Sequence, residues 1–169
     1  MDCESLRING ALVMHRVVPI EADGACLFRA LSYLMHGTEG LASEVRLAIV
    51  RHVSRNWHEF AILTEDSEGN NYRTAGAYMA AMSQDDTCGG ICELNAAGQL
   101  FAFVFEVYCK RQLYAKFGSD QHPVKRLRFS SDQSGGHFDV YEPLDITYEA
   151  PTSTRMSPPK GDEYCARRR

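Results

Sequence analysis

Residues Asp23–Leu31 read Asp-Gly-Ala-Cys-Leu-Phe-Arg-Ala-Leu, or DGACLFRAL. A small, glycine-containing turn delivers Cys26 to the head of an apolar run with helical spacing, Leu27, Leu31 and Leu34. A buried structural cysteine needs no such setting, whereas a reactive one does. A thiol attacks only as thiolate, and a free cysteine titrates near ~8.5. A helix N-terminus favours negative charge through its free amides and dipole. Gly24 and Ala25 leave the backbone uncrowded, so the amides of Asp23, Gly24 and Cys26 are candidates to face a developing oxyanion.

The second requirement is an imidazole to take the proton. Of six histidines, His36 ends the first helical run, His52 and His58 lie in an amphipathic stretch, and His15 and His122 sit in polar surroundings. His137 differs. It follows Ser-Gly-Gly and opens an apolar strand, with Asp139 two residues on. In a strand, i and i+2 share a side. Asp139 can therefore bond one ring nitrogen and leave the other for the thiol. A cysteine on an apolar helix is usually core, and His-x-Asp is common by chance; the conjunction is what points to chemistry.

Helical patterns come first and strands later, which predicts an α+β class. CLFRALSYLMH predicts a helix stopped by Gly37. TEGLASEVRLAIVRHVSRNWHEF predicts a helix with Ser43 as N-cap, Val45, Ile49 and Val53 inward, and Arg46 and Arg51 facing away. AGAYMAAM predicts a short helix with Tyr78, Met79 and Met82 inward, and ICELNAAGQLF another, whose Glu93 compensates the helix dipole. FAFVFEVYC, VKRLRFSS and the segment after SGGHF predict strands. Residues before about Val17 read as an arm or an early strand. The expected division is an N-terminal arm over 1–15, a catalytic domain over 16–149 and a disordered tail over 150–169, rich in Pro, Ser, Thr and charge.

The formal net charge of −4 is uneven. From Pro151 onward five basic residues face two acidic ones, leaving 13 basic against 20 acidic in the rest. An acidic body argues against nucleic acid and suits a basic peptide or protein tail. No apolar run is long enough to span a bilayer, and MDCESLRING does not open a secretory signal. Membrane association is not expected. Six cysteines without an export signal, in a chain long enough to hold a core, read as reduced thiols in a cytoplasmic setting. Cys88 and Cys92 lack a second ligand pair, so no metal is expected.

DGACLFRALS resembles the active-site segment of the ovarian-tumour (OTU) family of cysteine proteases, mostly deubiquitinases. Three further pieces agree in order over roughly residues 15–145: EVRLAIVRHVSRNWHEF, CGGICELNAAGQLF and GGHFDVY. The resemblance implies a papain-type fold with a small central sheet packed between helices. It implies Cys26 as nucleophile, His137 as base, Asp139 as orienting acid and Asp23 as the opening of the oxyanion loop, with no cofactor. The implied reaction is hydrolysis after the C-terminal glycine of ubiquitin, a polyubiquitin chain or a ubiquitin-like modifier, by a monomer.

The resemblance also makes Gly89, Gly90 and Phe138 candidates for the substrate groove. Gly89 and Gly90 either admit a glycine tail by close backbone approach or turn the chain into the next helix. One departure stands out: where the family commonly has tryptophan before Gly-Gly, this chain has Cys88. Either the groove is wider, or Trp57 or a tyrosine fills the space. Two rival readings remain, a ubiquitin-binding module of weak activity and a protease that processes its own polyprotein.

Overall fold

The computed structural model describes residues 1–132 and 135–148. It is a curled six-stranded sheet with helices on one face. The strands are β1 (Cys3–Ile8), β2 (Ala11–Val18), β3 (Val104–Cys109), β4 (Gln112–Phe117), β5 (Val124–Asp132) and β6 (Gly135–Tyr148), in spatial order β1-β2-β6-β5-β3-β4. Neighbours run antiparallel except β3 and β5, which are parallel. The helices are α1 (Cys26–His36), α2 (Ala42–Arg55), α3 (Trp57–Phe60), α4 (Ala75–Met82) and α5 (Ile91–Leu100). The α+β class and papain-like architecture expected from the sequence are what the molecule has, with the helices gathered on one face of the sheet rather than on both. Among the described residues no helix is long and apolar enough to cross a membrane.

Alternation along the strands explains the layering. Phe105 and Val107 of β3, Leu127 of β5, and Phe138 and Val140 of β6 join the helical core. Phe28 and Leu31 of α1, Ile49 and Val53 of α2, and Tyr78 of α4 meet them. Each such aromatic or aliphatic side chain contributes about 1.5–3 kcal/mol by leaving water. The opposite face carries a smaller cluster of Leu6, Tyr108 and Tyr141, together with the charges of Glu4, Glu106, Arg126, Arg128 and Asp139.

α1 stops as expected, at Gly37 with φ +73°, its N–H bonded to Tyr33 O at 2.8 Å. α2 starts one residue before Ser43, so Ser43 is not its cap. The preceding 3₁₀ turn, Glu39–Leu41, carries the cap instead, through Thr38 Oγ1. The predicted continuation to Phe60 breaks at Asn56, whose side-chain amide donates to His52 O at 2.8 Å. Met79 is exposed rather than inward, while Tyr78 and Met82 are buried.

The N-terminal stretch, read as an arm or an early strand, forms the hairpin β1–β2, and β2 pairs with β6. β4 escaped the sequence reading: its side chains are mostly exposed, so its apolar alternation is weak. The tail expected over 150–169 lies outside the described residues.

Candidate active site

Cys26 is the first residue of α1 and is buried, 4% exposed. The turn before it is held by Asp23, whose Oδ1 accepts the Ala25 amide at 2.9 Å. Arg29, one turn into the helix, grips both Asp23 oxygens, with Nε at 3.2 and 3.0 Å and Nη2 at 2.8 Å. That guanidinium holds the Asp23 carboxyl below its usual range. Both residues stand in DGACLFR, yet sequence reading passed over Arg29, because a six-residue separation is no regular helical spacing and the pairing depends on the turn.

Gly24 is required by contact. A Cβ there would lie 1.9 Å from the Asp86 carbonyl oxygen, so the turn rests directly on the 83–88 segment. Of the three amides expected to face an oxyanion, that of Asp23 donates to Glu21 O at 3.1 Å and that of Cys26 to Asp23 O at 3.2 Å. The Gly24 amide has no such partner among the described residues.

Arg46 holds this arrangement together, contrary to the expectation that it faces away. It is 3% exposed. Nη1 donates to Thr87 O at 2.7 Å and Met82 O at 3.0 Å; Nη2 donates to Asp85 O at 2.9 Å and, weakly, to Gly24 O at 3.4 Å. The guanidinium lies 4.0 Å from the Phe28 ring centroid. Burial lowers its pKa from the usual arginine range. A cation amid carbonyl oxygens and an aromatic face satisfies its donors without a carboxylate. The i, i+3, i+4 pattern of α2 put Arg46 beside the apolar stripe, and sequence pattern alone does not distinguish a buried clamp from a solvated charge.

Glu93 likewise does more than compensate a dipole. It is buried, accepting Tyr78 OH at 2.9 Å and the Gly90 amide at 2.7 Å. It thus fixes the start of α5 against α4.

β2 leaves β6 after Val18–Val140, and α1 packs against β6. The amides of Phe138 and Leu27 lie near enough to the Cys26 sulfur to favour the thiolate. Burial outweighs them and pushes the thiol above its ordinary value. The helix terminus therefore does not by itself ionise Cys26, as the sequence reading expected; desolvation of the anion is the larger effect.

His137 directly precedes Phe138. Its Nε2 lies 3.0 Å from Asp139 Oδ1, as the i, i+2 spacing predicted. Asp139 Oδ1 also accepts the Ile20 amide at 3.0 Å. With Nε2 engaged, Nδ1 is the nitrogen available to a thiol.

A cleft of about 470 Å³ lies here, lined on one side by Ala22, Asp23 and Cys88 and on the other by Ser130, Ser131, Asp132, Gly135, Gly136 and His137. None of the three groove candidates lines this cleft. Gly89 packs on α1, where a Cβ would meet Leu27 and Phe28 at 2.8 and 2.9 Å. The Phe138 ring is buried against Phe129, centroids 5.1 Å apart. Gly90 borders open space and caps α5. Trp57 packs on Tyr78, no tryptophan, tyrosine or phenylalanine among the described residues lines the cleft, and the exposed Cys88 does. Among the described residues no cluster of three or more His, Cys, Asp or Glu is placed to hold a metal.

Comparison with known proteins identifies the family and the fold. The model of the OTU-like cysteine proteases matches residues 21–138. Mouse OTU domain-containing protein 1 is 32% identical over 78 residues, 46% of this chain and 16% of that protein. The chain therefore spans a small part of the length of that relative. The solved OTUD1 OTU domain superposes with a TM-score of 0.61 at 22% identity, covering 76% of this chain and 85% of that one. An OTU domain solved in complex with ubiquitin gives 0.66 at 17% identity, covering 89% and 83%. The matched span runs from the Asp23 turn to the His137 strand, and by it the chain belongs to the family of OTU-like cysteine proteases.

Proposed function

We propose that the chain is a deubiquitinase, hydrolysing the isopeptide bond after the last glycine of ubiquitin, of a polyubiquitin chain or of a ubiquitin-like modifier. The observation that carries this is a His137 already oriented by Asp139 at a cleft of mostly small side chains, with the next residue, Phe138, near enough for its amide to act on the buried Cys26 sulfur. Among the described residues that line the cleft there is no lysine or arginine, and Ala22, Gly135 and Gly136 leave it uncrowded. A tail ending in two glycines fits such a passage by width. The OTU domain solved with ubiquitin, whose fold this chain shares, supports the same partner.

In the reaction, His137 Nδ1 takes the Cys26 proton as sulfur attacks the glycine carbonyl carbon. The Gly24 amide, the free donor of the turn, receives the oxyanion. The imidazolium, balanced by Asp139, gives its proton to the leaving lysine nitrogen as the carbon–nitrogen bond breaks. Water, deprotonated by His137, adds to the thioester; the carbon–sulfur bond breaks and sulfur regains the proton. The domain acts as a monomer and includes the β1–β2 hairpin, since both strands belong to the one sheet; the setting is cytoplasmic, where a reducing medium keeps Cys26 a thiol.

The test is hydrolysis of a ubiquitin–lysine conjugate by the full chain and by Cys26→Ala. The expected result is turnover by the first and none by the second. Ubiquitin binding without turnover by the unaltered chain supports the binding-module reading and overturns the proposal.

A further inference from the structure

The catalytic reading leaves one feature unused: a charged network on the sheet face behind Asp139. Arg128 and Asp139 are direct cross-strand partners on β5 and β6. Arg128 Nη1 approaches Asp139 Oδ2 at 3.3 Å, while its Nε donates to Glu4 Oε1 at 3.1 Å. The other Glu4 oxygen accepts the Tyr141 hydroxyl. Glu4 lies on β1, three places from β5 in the sheet, and reaches Arg128 because the sheet curls. One guanidinium is thus shared between two carboxylates.

We propose that Arg128 and Glu4 are positioning residues for the His137–Asp139 couple, Arg128 orienting Asp139 and Glu4 offsetting the charge that Arg128 brings. The proposal rests on the catalytic reading above. Asp139 has its first oxygen held by Ile20 N and His137, and Arg128 holds the second, so the carboxylate plane is set. Were Arg128 paired with Asp139 alone, it would cancel the charge that must stabilise the imidazolium. With Glu4 on the same guanidinium, the group of three keeps one net negative charge, which His137 meets when it takes the proton. The β1–β2 hairpin is therefore part of the catalytic apparatus.

Other charged and titratable groups surround the couple. On the back, Asp2 and Arg16 line a cleft of about 710 Å³ with Glu4, Arg128 and Asp139, and Arg16 is paired with Glu142. Along the strands are the Arg126–Glu106 pair and buried His15. On the front are Asp23, Asp132 and Cys88, which line the cleft with His137, and Cys26 beside Phe138. None but Arg128 is hydrogen-bonded to the second oxygen of Asp139 among the described residues.

The experiment titrates the His137 ring by NMR in the full chain, in Glu4→Gln, in Arg128→Gln and in the double variant, and measures kcat and KM against pH on a ubiquitin conjugate. Removing the Glu4 charge favours proton loss, so the His137 titration and the acid limb of the rate profile move to lower pH. Removing the Arg128 charge moves both to higher pH. The expected shifts are about half a unit or more, opposite in sign, and cancel in the double variant. Each single variant loses about tenfold in kcat with KM little changed, and Arg128→Lys restores the titration. Unmoved titrations, or shifts of the same sign, overturn the proposal, since a purely structural role has no reason to give opposite signs. If Arg128→Gln fails to fold, Glu4→Gln against Arg128→Lys decides by the same criterion. Opposite NMR shifts with no turnover by any form, the unaltered chain included, sink the catalytic reading while leaving the electrostatic pairing in place.

Discussion

The two walls of the site are built differently. The helix-side wall comes from seven consecutive residues, Asp23–Arg29, in which one carboxylate holds the turn and one arginine holds the carboxylate. The strand-side wall draws on β6 for His137 and Asp139, on β5 for Arg128 and on β1 for Glu4. The first takes its shape from neighbouring residues and is seated on the 83–88 segment, which Arg46 of α2 holds. The second exists only once the sheet has curled, and it carries the base and the charge that balances it. Local sequence thus presents the nucleophile, and long-range topology supplies the group that activates it.

The largest effect expected on the helix side comes from Gly24→Ala. The added carbon collides with the Asp86 carbonyl, the turn is displaced from its seat, and the oxyanion donor moves with it. A fall of about 10²-fold in kcat is expected, measured on a ubiquitin conjugate, while His137 titrates unchanged. A shift in the His137 titration would show that the two walls are not separable.

Arg46→Met comes next. It leaves the carbonyls of Met82, Asp85 and Thr87 without their donor in a buried place. A loss of about 3 kcal/mol in unfolding free energy is expected, read by denaturant titration. A loss below about 1 kcal/mol would mean that water replaces the guanidinium and that the clamp is dispensable.

Arg29→Gln should have the smallest effect. Asp23, held below the usual carboxylate range by Arg29, contributes stability that is present above the unfolded value of ~3.9 and lost as pH falls through the lower folded value. The pair is partly exposed, so its contribution is under about 1 kcal/mol. Arg29→Gln should flatten stability against pH below about 4 by that amount. An unchanged acid limb would remove Arg29 from the account of the turn.

The same contrast explains what was legible in the sequence. α1, its Gly37 stop and the His-x-Asp couple were readable because each depends on spacing within a few residues. Arg46 was misplaced because a buried cation is recognised by what surrounds it, here carbonyls some forty residues away. The roles of Glu93 and Glu4 were hidden for the same reason. β1 and β4, edge strands with half-exposed faces, carry little apolar alternation. The sequence suggested a thiol lowered by the helix terminus; that burial reverses the shift follows from how closely α1 packs on β6, which no local pattern records.

Cys88 makes the central claim sharply testable, since it is an exposed thiol that lines the cleft with His137, while the nucleophile is held to be the buried Cys26. The measurement is peptide mapping by mass spectrometry after reaction of the full chain with ubiquitin bearing a C-terminal electrophile. The account predicts a single adduct on the peptide containing Cys26, formed normally by Cys88→Ser and absent in His137→Ala. An adduct on Cys88, or one on Cys26 that forms as readily without His137, would contradict it.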